Sequence, residues 1–251
     1  MTRALGYAAL GTLFTFAMTT LGAATVFLLG RANESRSQEV MLGFAGGVMT
    51  AASVWSLLLP AIEQAESGPL PAWLPAAAGV SVGAVFLAAL DALLPRLRRQ
   101  STNALHRQNT LLFTAITLHN IPEGIAVGLA FALAADGESL AGAAALALGI
   151  GIQNFPEGAA ISLPMRQMGE GPLRSFLGGM LSGIVEPIFG IAVVLAAAGA
   201  HALMPWLLSF AAGAMIYVVI EELVPQSNTR GGVSGFMVGF LVMMILDVAL
   251  G

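Results

Sequence analysis

The chain has 251 residues, of which 57% are hydrophobic and 10% are charged, with a net charge of −4 and no cysteine. This composition excludes an ordinary soluble domain and indicates an integral membrane protein. The absence of cysteine excludes disulfides and thiolate metal sites, so any bound metal would have to use His, carboxylate, amide or thioether groups.

Apolar runs of about 20 residues, the length that crosses roughly 30 Å of hydrocarbon, recur eight times along the chain. The predicted spans are Leu5–Leu29, Val40–Ile62, Trp73–Leu94, Thr110–Leu133, Leu140–Met165, Leu173–Ala198, Pro205–Val224 and Gly231–Leu250. The first run is too long for the hydrophobic region of a signal peptide. We therefore expect an all-α polytopic membrane protein in which residues 1–251 form a single transmembrane domain.

The placement of arginine predicts how these spans are oriented. All ten basic residues are Arg, and nine of them lie in or beside the breaks after spans one, three, five and seven. These nine are Arg31, Arg36, Arg96, Arg98, Arg99, Arg107, Arg166, Arg174 and Arg230. By the positive-inside rule those four loops are cytoplasmic, so both termini are expected outside, as in a multi-pass protein of the plasma (inner) membrane. The basic loop at 95–109 is interpreted as an orientation signal that contacts anionic lipid headgroups of the bilayer.

Seven acidic residues lie within the spans or close to their ends. They are Asp91, Glu123, Glu157, Glu186, Glu221, Glu222 and Asp247. None has an obvious arginine partner at matching depth, and an ionised carboxylate in hydrocarbon costs at least about 2.5 kcal/mol. Such a group has to be protonated, hydrated or paired with a cation. Because the protein offers no cation at that depth, the pattern indicates that one is imported.

The stretch "LHNIPEG", beginning at residue 118, concentrates polar groups inside the fourth span. On a helix His119 and Glu123 are separated by four positions, and Asn120 and Glu123 by three, so all three side chains share one face. Pro122 lacks an N–H and clashes with the carbonyl four residues earlier, which predicts a kink and a freed backbone oxygen beside this face.

The same spacing recurs thirty-four residues later in "IQNFPEG". Its polar residues are Gln153, Asn154 and Glu157, and a further acid followed by proline, Glu186, lies in "SGIVEPIFG". Two such helices side by side would offer an imidazole, two carboxylates and up to three amide oxygens. This mixed nitrogen and oxygen set suits Zn²⁺ and neighbours such as Fe²⁺, Mn²⁺, Ni²⁺ or Cd²⁺.

With these motifs the sequence resembles the ZIP (Zrt/Irt-like protein) family of divalent metal transporters, in its prokaryotic branch. "HNIPEG", "QNFPEG" and Glu186–Pro187 are similar to signature sequences of that family's fourth, fifth and sixth helices. The resemblance implies a two-metal centre. Its first metal would be held by His119, Glu123, Gln153 and Glu157. Its second would be held by Asn120, Asn154 and Glu186, with Glu123 and Glu157 bridging.

One position departs from some bacterial relatives, which carry Asp where this chain has Asn154. The lost negative charge should weaken the second site, so we expect that site to be the weaker of the two.

The resemblance also implies a pathway between helices two, four, five and seven. Its residues would be Met49, Ser56, Glu221 and Glu222, and Glu39 could gather cations at the cytoplasmic mouth. The segments 42–60 and 208–225 echo each other and align Ser56 with Glu222. This favours an inverted repeat of helices 1–3 and 6–8 around helices 4 and 5. Short echoes between apolar helices also arise from composition alone.

We therefore expect a carrier that moves Zn²⁺, with Fe²⁺, Mn²⁺ and Cd²⁺ as further candidates, into the cytoplasm by elevator-like alternating access. No organic cofactor, nucleic-acid partner or enzymatic activity is expected. The glycines of "GGVSGFMVG" permit close packing within the subunit or across a homodimer. Two alternatives stay open: a membrane-embedded metalloenzyme, which would need an HExxH motif or several histidine boxes, and a cation-coupled carrier of an organic solute.

Overall fold

The computed structural model of the chain describes residues 2–29, 35–97, 104–137, 139–167, 169–197 and 201–250. This part of the chain is helical and contains no strand, which confirms the all-α prediction. The physical reason is that a backbone in lipid has no water to bond, so its polar groups are satisfied within the helix itself.

The first two helices are each composed of successive segments. Helix α1 spans Thr2–Ala24 and continues as Val26–Leu29. Helix α2 begins as Ser35–Ala52, widens into a π-helical stretch at Ser53–Leu58 and ends with Leu59–Glu66. The π-helical stretch precedes Pro60, which has no N–H to donate to the carbonyl of residue 56.

The next three helices are long. Helix α3 spans Trp73–Leu97, α4 spans Ala104–Asp136 and α5 spans Leu140–Gln167. Pro122 lies inside α4 and Pro156 inside α5, and both helices continue through them. Each proline frees the carbonyl four residues earlier without ending its helix.

Helix α6 is interrupted at Ile184, between Pro172–Gly183 and Val185–Ala197. The interruption precedes Pro187, which cannot donate a hydrogen bond to the carbonyl of residue 183.

Helix α7 spans Met204–Val218 after a short 3-10 turn. It then passes through a π-helical stretch at Val219–Leu223 and ends with Val224–Gln226. As in α2, a proline follows the π-helical stretch closely, here Pro225. Helix α8 spans Arg230–Leu250.

Six helical stretches of the described residues are long and apolar enough to cross a membrane, judged by length and composition. They are Thr2–Leu28, Glu39–Glu66, Trp73–Leu90, Pro172–Ala196, Met204–Gln226 and Arg230–Ala249. Helices α4 and α5, which carry the two polar motifs, are not among these six. The chain is a multi-pass membrane protein, and the count of eight spans stays a prediction.

The helices pack in two groups. In the motif block, α1 packs on α4, α5 and α6, and α6 packs on α4 and α5. In the flanking block, α2 packs on α8 and on α7, while α3 packs on α7. The two blocks meet where α5 contacts α2 and α8 and where α4 contacts α7. The polar motifs therefore lie in one block and face neighbours from both.

Glycine permits the closest helix crossings inside each block. A Cβ atom at Gly22 on α1 would overlap the carbonyl oxygen of Phe155 on α5, and one at Gly47 on α2 would overlap that of Phe236 on α8. Any larger residue would force these backbones apart, so small residues are what allow the helices to pack this closely in a membrane.

Candidate metal centre

The two motifs lie side by side, because α4 and α5 pack against each other. Their described polar side chains are buried: Asn120, Glu123, Gln153 and Asn154 are 0% exposed, and Glu157 is 5% exposed. Polar groups at this depth have to be satisfied by each other, by water or by an ion. The predicted shared face of each motif is therefore directed into the protein.

A hydrogen bond joins the two motifs. The amide nitrogen Nε2 of Gln153 donates to Oε1 of Glu123 at 2.6 Å. The remaining oxygens, Oε1 of Gln153 and Oε2 of Glu123, have no hydrogen-bond partner among the described residues. A buried acceptor left in that state costs about 1–3 kcal/mol, and more when it carries charge. The pair therefore presents two oxygen acceptors that lack a donor.

Asn120 adds a third acceptor of the same kind. Its Nδ2 donates to the backbone oxygen of Ser182 on α6 at 3.0 Å. Its Oδ1 is buried without a hydrogen-bond partner in the described part of the chain. The amide nitrogens of Asn120 and Gln153 thus donate hydrogen bonds, while their amide oxygens accept none from the described residues. An arrangement of oxygens without donors is complementary to a cation.

Glu186, the third acid of the predicted centre, differs from Glu123 in its hydrogen bonding. Glu186 is 0% exposed, and both of its carboxylate oxygens have partners. Oε1 accepts a hydrogen bond from the Thr19 hydroxyl at 3.1 Å, and Oε2 accepts one from Nδ2 of Asn154 at 2.9 Å. Glu186 therefore links α6 to α1 and α5 through side chains of the protein.

The glycine that ends each motif positions these neighbours. A Cβ at Gly124 would overlap the backbone of Glu186, and a Cβ at Gly158 would overlap the carbonyl oxygen of Thr19. Only glycine allows α6 and α1 to cross the motif helices at these points. The repeated glycine was visible in the sequence, but its role depends on which helices cross there.

One predicted ligand, His119, cannot be placed in the centre by its side chain. His119 lies within helix α4, but its side chain is outside the described part of the structure, as is the side chain of Asp91. Among the described residues, no group of three or more His, Asp or Glu side chains is arranged to hold a metal ion. The predicted imidazole ligand therefore stays a prediction.

The predicted pathway residues lie on α2 and α7. Met49 is fully buried, whereas Glu39 and Ser56 are partly buried. Ser56 and Glu222 lie within the two π-helical stretches. Such stretches often occur at functional sites because they redirect side chains and backbone carbonyls. Glu221 shares the second stretch and is exposed.

A cavity of about 480 Å³ lies between the ends of α2, α4, α5 and α8. Its polar lining consists of Trp55, Ser56, Glu63, Gln64, Ser139 and Asp247. The Ser56 hydroxyl donates a hydrogen bond to Oδ1 of Asp247, while Oδ2 has no hydrogen-bond partner among the described residues. In the sequence, Asp247 is recognisable only as an acid within a span. Its pairing with Ser56 depends on the packing of α8 against α2.

Comparison with known proteins identifies the family. The family model of the ZIP Zinc transporter matches residues 97–247. Zinc transporter ZIP11 of Homo sapiens is 35% identical over 333 residues, covering 97% of this chain and 97% of that protein.

Two bacterial relatives are also zinc transporters by name. Zinc transporter GufA of Myxococcus xanthus is 36% identical over 247 residues, covering 93% of this chain and 94% of that protein. Zinc transporter ZIPB of Bordetella bronchiseptica is 39% identical over 258 residues, covering 98% of this chain and 82% of that protein. These relatives are named as transporters rather than enzymes, and the predicted resemblance is confirmed: the chain belongs to the ZIP family of zinc transporters.

Proposed function

We propose that this protein carries divalent transition metal ions, zinc foremost, across the inner membrane into the cytoplasm. The observation that carries the proposal is the set of buried oxygens without donors at Asn120, Glu123 and Gln153. The names of the relatives, all zinc transporters, support zinc as the substrate. Iron, manganese and cadmium are further candidates because oxygen and nitrogen ligands do not select sharply among these ions.

The first metal position is proposed at His119, Glu123, Gln153 and Glu157. The hydrogen bond from Gln153 to Glu123 supports this position, because it engages the amide nitrogen of Gln153 and leaves the amide oxygen without a donor among the described residues. A second position, suggested by the family resemblance, involves Asn120, Asn154 and Glu186, with Glu123 and Glu157 bridging. A metal at this second position would be held more weakly than at the first, because Asn154 offers a neutral amide in place of a carboxylate.

The proposed topology has eight spans with both termini outside the cytoplasm. Its basis is the distribution of arginine. Six of the nine arginines lie outside the described residues or have side chains outside them: Arg31, Arg36, Arg96, Arg98, Arg99 and Arg107. The inverted repeat is supported by the π-helical stretches of α2 and α7, which occur at matching places in the two echoing segments. A homodimer is compatible with this arrangement.

For transport we propose that the motif block slides past the flanking block. Every glycine of the described residues whose Cβ would lie within 3 Å of another helix's backbone faces a helix of its own block. Between the blocks, by contrast, Gly149 on α5 faces the side chains of Met243 on α8 and Val48 on α2. Interlocked backbones would favour rigid blocks, while a contact made by flexible side chains would permit movement between them.

Entry and exit of the ion would follow the path of Met49, Ser56, Glu221 and Glu222, with Glu39 at the cytoplasmic mouth. Protons compete with a metal for the lone pairs of carboxylate and imidazole, so protonation would assist release.

Zinc uptake into liposomes containing a trapped fluorescent indicator tests the proposal. Wild-type protein should admit Zn²⁺, whereas His119→Ala and Glu123→Ala should fall close to the rate of protein-free liposomes. The exposed acid Glu66, at the end of α2, offers a control, and Glu66→Gln should retain the wild-type rate. Equal uptake by wild type and both variants would contradict the site assignment, and no uptake by wild type would contradict the function.

A further inference from the structure

The second metal position contains a carboxylate, Glu186, both of whose oxygens already accept a hydrogen bond from the protein. Glu186 receives the Thr19 hydroxyl on one oxygen and the Asn154 amide on the other, at 3.1 and 2.9 Å. It is fully buried, as are both of its partners. Two donors of the protein therefore already stabilise the Glu186 carboxylate, so Glu186 needs a second cation less than Glu123 does.

The orientation of the Asn154 amide follows from its surroundings. Besides Glu186, its Nδ2 lies 3.5 Å from the backbone oxygen of Thr15. Its Oδ1 faces Nε2 of Gln153, also at 3.5 Å. Rotating the amide by half a turn would place its oxygen against two acceptors and its nitrogen against a donor. The network therefore selects the orientation in which nitrogen faces Glu186.

Close packing also surrounds the carboxylate. A Cβ at Gly183 would lie 3.1 Å from Oε1 of Glu186 and 3.0 Å from the Thr19 side chain. By contrast, buried oxygens that lack a donor among the described residues are found at Asn120, Glu123 and Gln153.

We propose that the Asn154 amide, together with the Thr19 hydroxyl, takes the place of a second metal ion in this protein. The carrier then binds one divalent ion per chain, at the position of Glu123 and Gln153. Glu186 acts as a positioning residue that ties α1, α5 and α6 together inside the motif block. This inference rests on the proposed function and defines how many ions its site holds.

The reason is electrostatic. An amide N–H presents a partial positive charge to Glu186 and carries no net charge of its own, so one glutamate can be buried beside it without a metal. With aspartate at this position the donor would become a second carboxylate. Two facing acceptors would then require a cation between them, or a proton.

Metal counting on purified protein tests the inference. Wild-type protein in detergent, equilibrated with Cd²⁺ or Zn²⁺ and then desalted, should retain one ion per chain. Asn154→Asp should retain two. Two ions on wild type, or one on Asn154→Asp, would overturn the inference while leaving the proposed function intact. No ion on wild type would instead overturn the proposed function, and the inference with it.

Thr19 provides a second, independent test. Thr19→Val keeps the shape of the side chain and removes the donor to Glu186, whereas Thr19→Ser keeps the donor. We expect Thr19→Val to retain one bound ion, to slow zinc uptake and to lower the melting temperature, and Thr19→Ser to restore both toward wild type. If Thr19→Ser behaved like Thr19→Val, the hydroxyl would not be positioning Glu186.

Discussion

The side-chain amide of Gln153 on α5 donates a 2.6 Å hydrogen bond to the carboxylate of Glu123 on α4. This bond connects the two repeated motifs at the one position where their sequences differ in character, since Gln153 occupies the place that His119 holds in the first motif. An amide can donate with its nitrogen while its oxygen faces a cation, so Gln153 is suited both to orient Glu123, a proposed ligand, and to act as a ligand itself.

Replacing Gln153 should therefore weaken metal binding for two reasons. Gln153→Ala removes an oxygen ligand and leaves Glu123 without its donor. Loss of a partner that orients a ligand typically weakens metal affinity about 10- to 100-fold, and we expect at least that for zinc. Titration of purified protein with Zn²⁺ provides the measurement. Ile152→Ala, a neighbour on α5 that is 36% exposed, is the control and should bind as wild type does. Unchanged affinity in Gln153→Ala would remove glutamine from the site.

The glycines that end the motifs should be intolerant of substitution. Gly124→Ala would push a methyl group into the backbone of Glu186 and is expected to destabilise the protein by about 1–3 kcal/mol. At Gly6 on α1 an added Cβ meets nothing within 4 Å, so Gly6→Ala should be neutral or stabilising by up to about 1 kcal/mol. Thermal unfolding in detergent distinguishes the two. Equal melting temperatures would show that α6 does not cross α4 at Gly124.

Cross-linking the two blocks should stop transport. The chain contains no cysteine, so Gly149→Cys with Met243→Cys introduces the only thiol pair. A bifunctional thiol reagent should abolish zinc uptake, and cleavage of the link should restore it. The control pair Gly46→Cys with Phe236→Cys lies within the flanking block, where cross-linking should leave uptake intact. Full uptake with α5 covalently joined to α8 would exclude sliding at this contact.

Asp247 should assist the capture of metal ions in the cavity between α2 and α8. Its carboxylate accepts a hydrogen bond from Ser56 with one oxygen and has the other left over. Removing this charge with Asp247→Asn should raise the KM for zinc uptake by about tenfold or less while kcat is kept, because local charge concentrates cations without taking part in later steps. Val248→Ala changes the same cavity without changing its charge and should leave KM unaltered. A fall in kcat at constant KM would argue against a role in capture.

The orientation of the chain can be tested in cells. With nine of ten arginines in or beside the loops assigned to the cytoplasm, tags on either terminus should be accessible to an impermeant reagent applied outside the inner membrane. A tag inserted at residues 98–103, between α3 and α4, should be protected until the membrane is permeabilised. The reverse pattern would overturn the predicted topology and with it the direction assigned to each end of the pathway.

The sequence by itself determined the helical class and the polar face of each motif. A long apolar run in lipid has to form a helix, because the helix pairs the backbone N–H and C=O groups with each other where no water is present. Within one helix the spacing of Asn120 and Glu123 decides that they share a face, because the geometry is local and periodic. The repetition of that spacing at Asn154 and Glu157 indicated a second contribution to the same site without any knowledge of packing.

Only the tertiary structure decided which groups meet across helices. Thr19 and Glu186 are 167 positions apart. A threonine in an apolar helix ordinarily bonds its own backbone, as Thr12 does with the carbonyl of Ala8 and as Thr19 does with that of Thr15, but Thr19 has Glu186 as a further partner. Nothing local distinguishes Thr19 from Thr12. The difference arises because α1 crosses α5 at Gly158 and α6 crosses α4 at Gly124, which brings the Thr19 hydroxyl to Glu186. A hydrogen bond depends on distances of a few tenths of an ångström, and those distances are set by helix crossings that no single segment specifies.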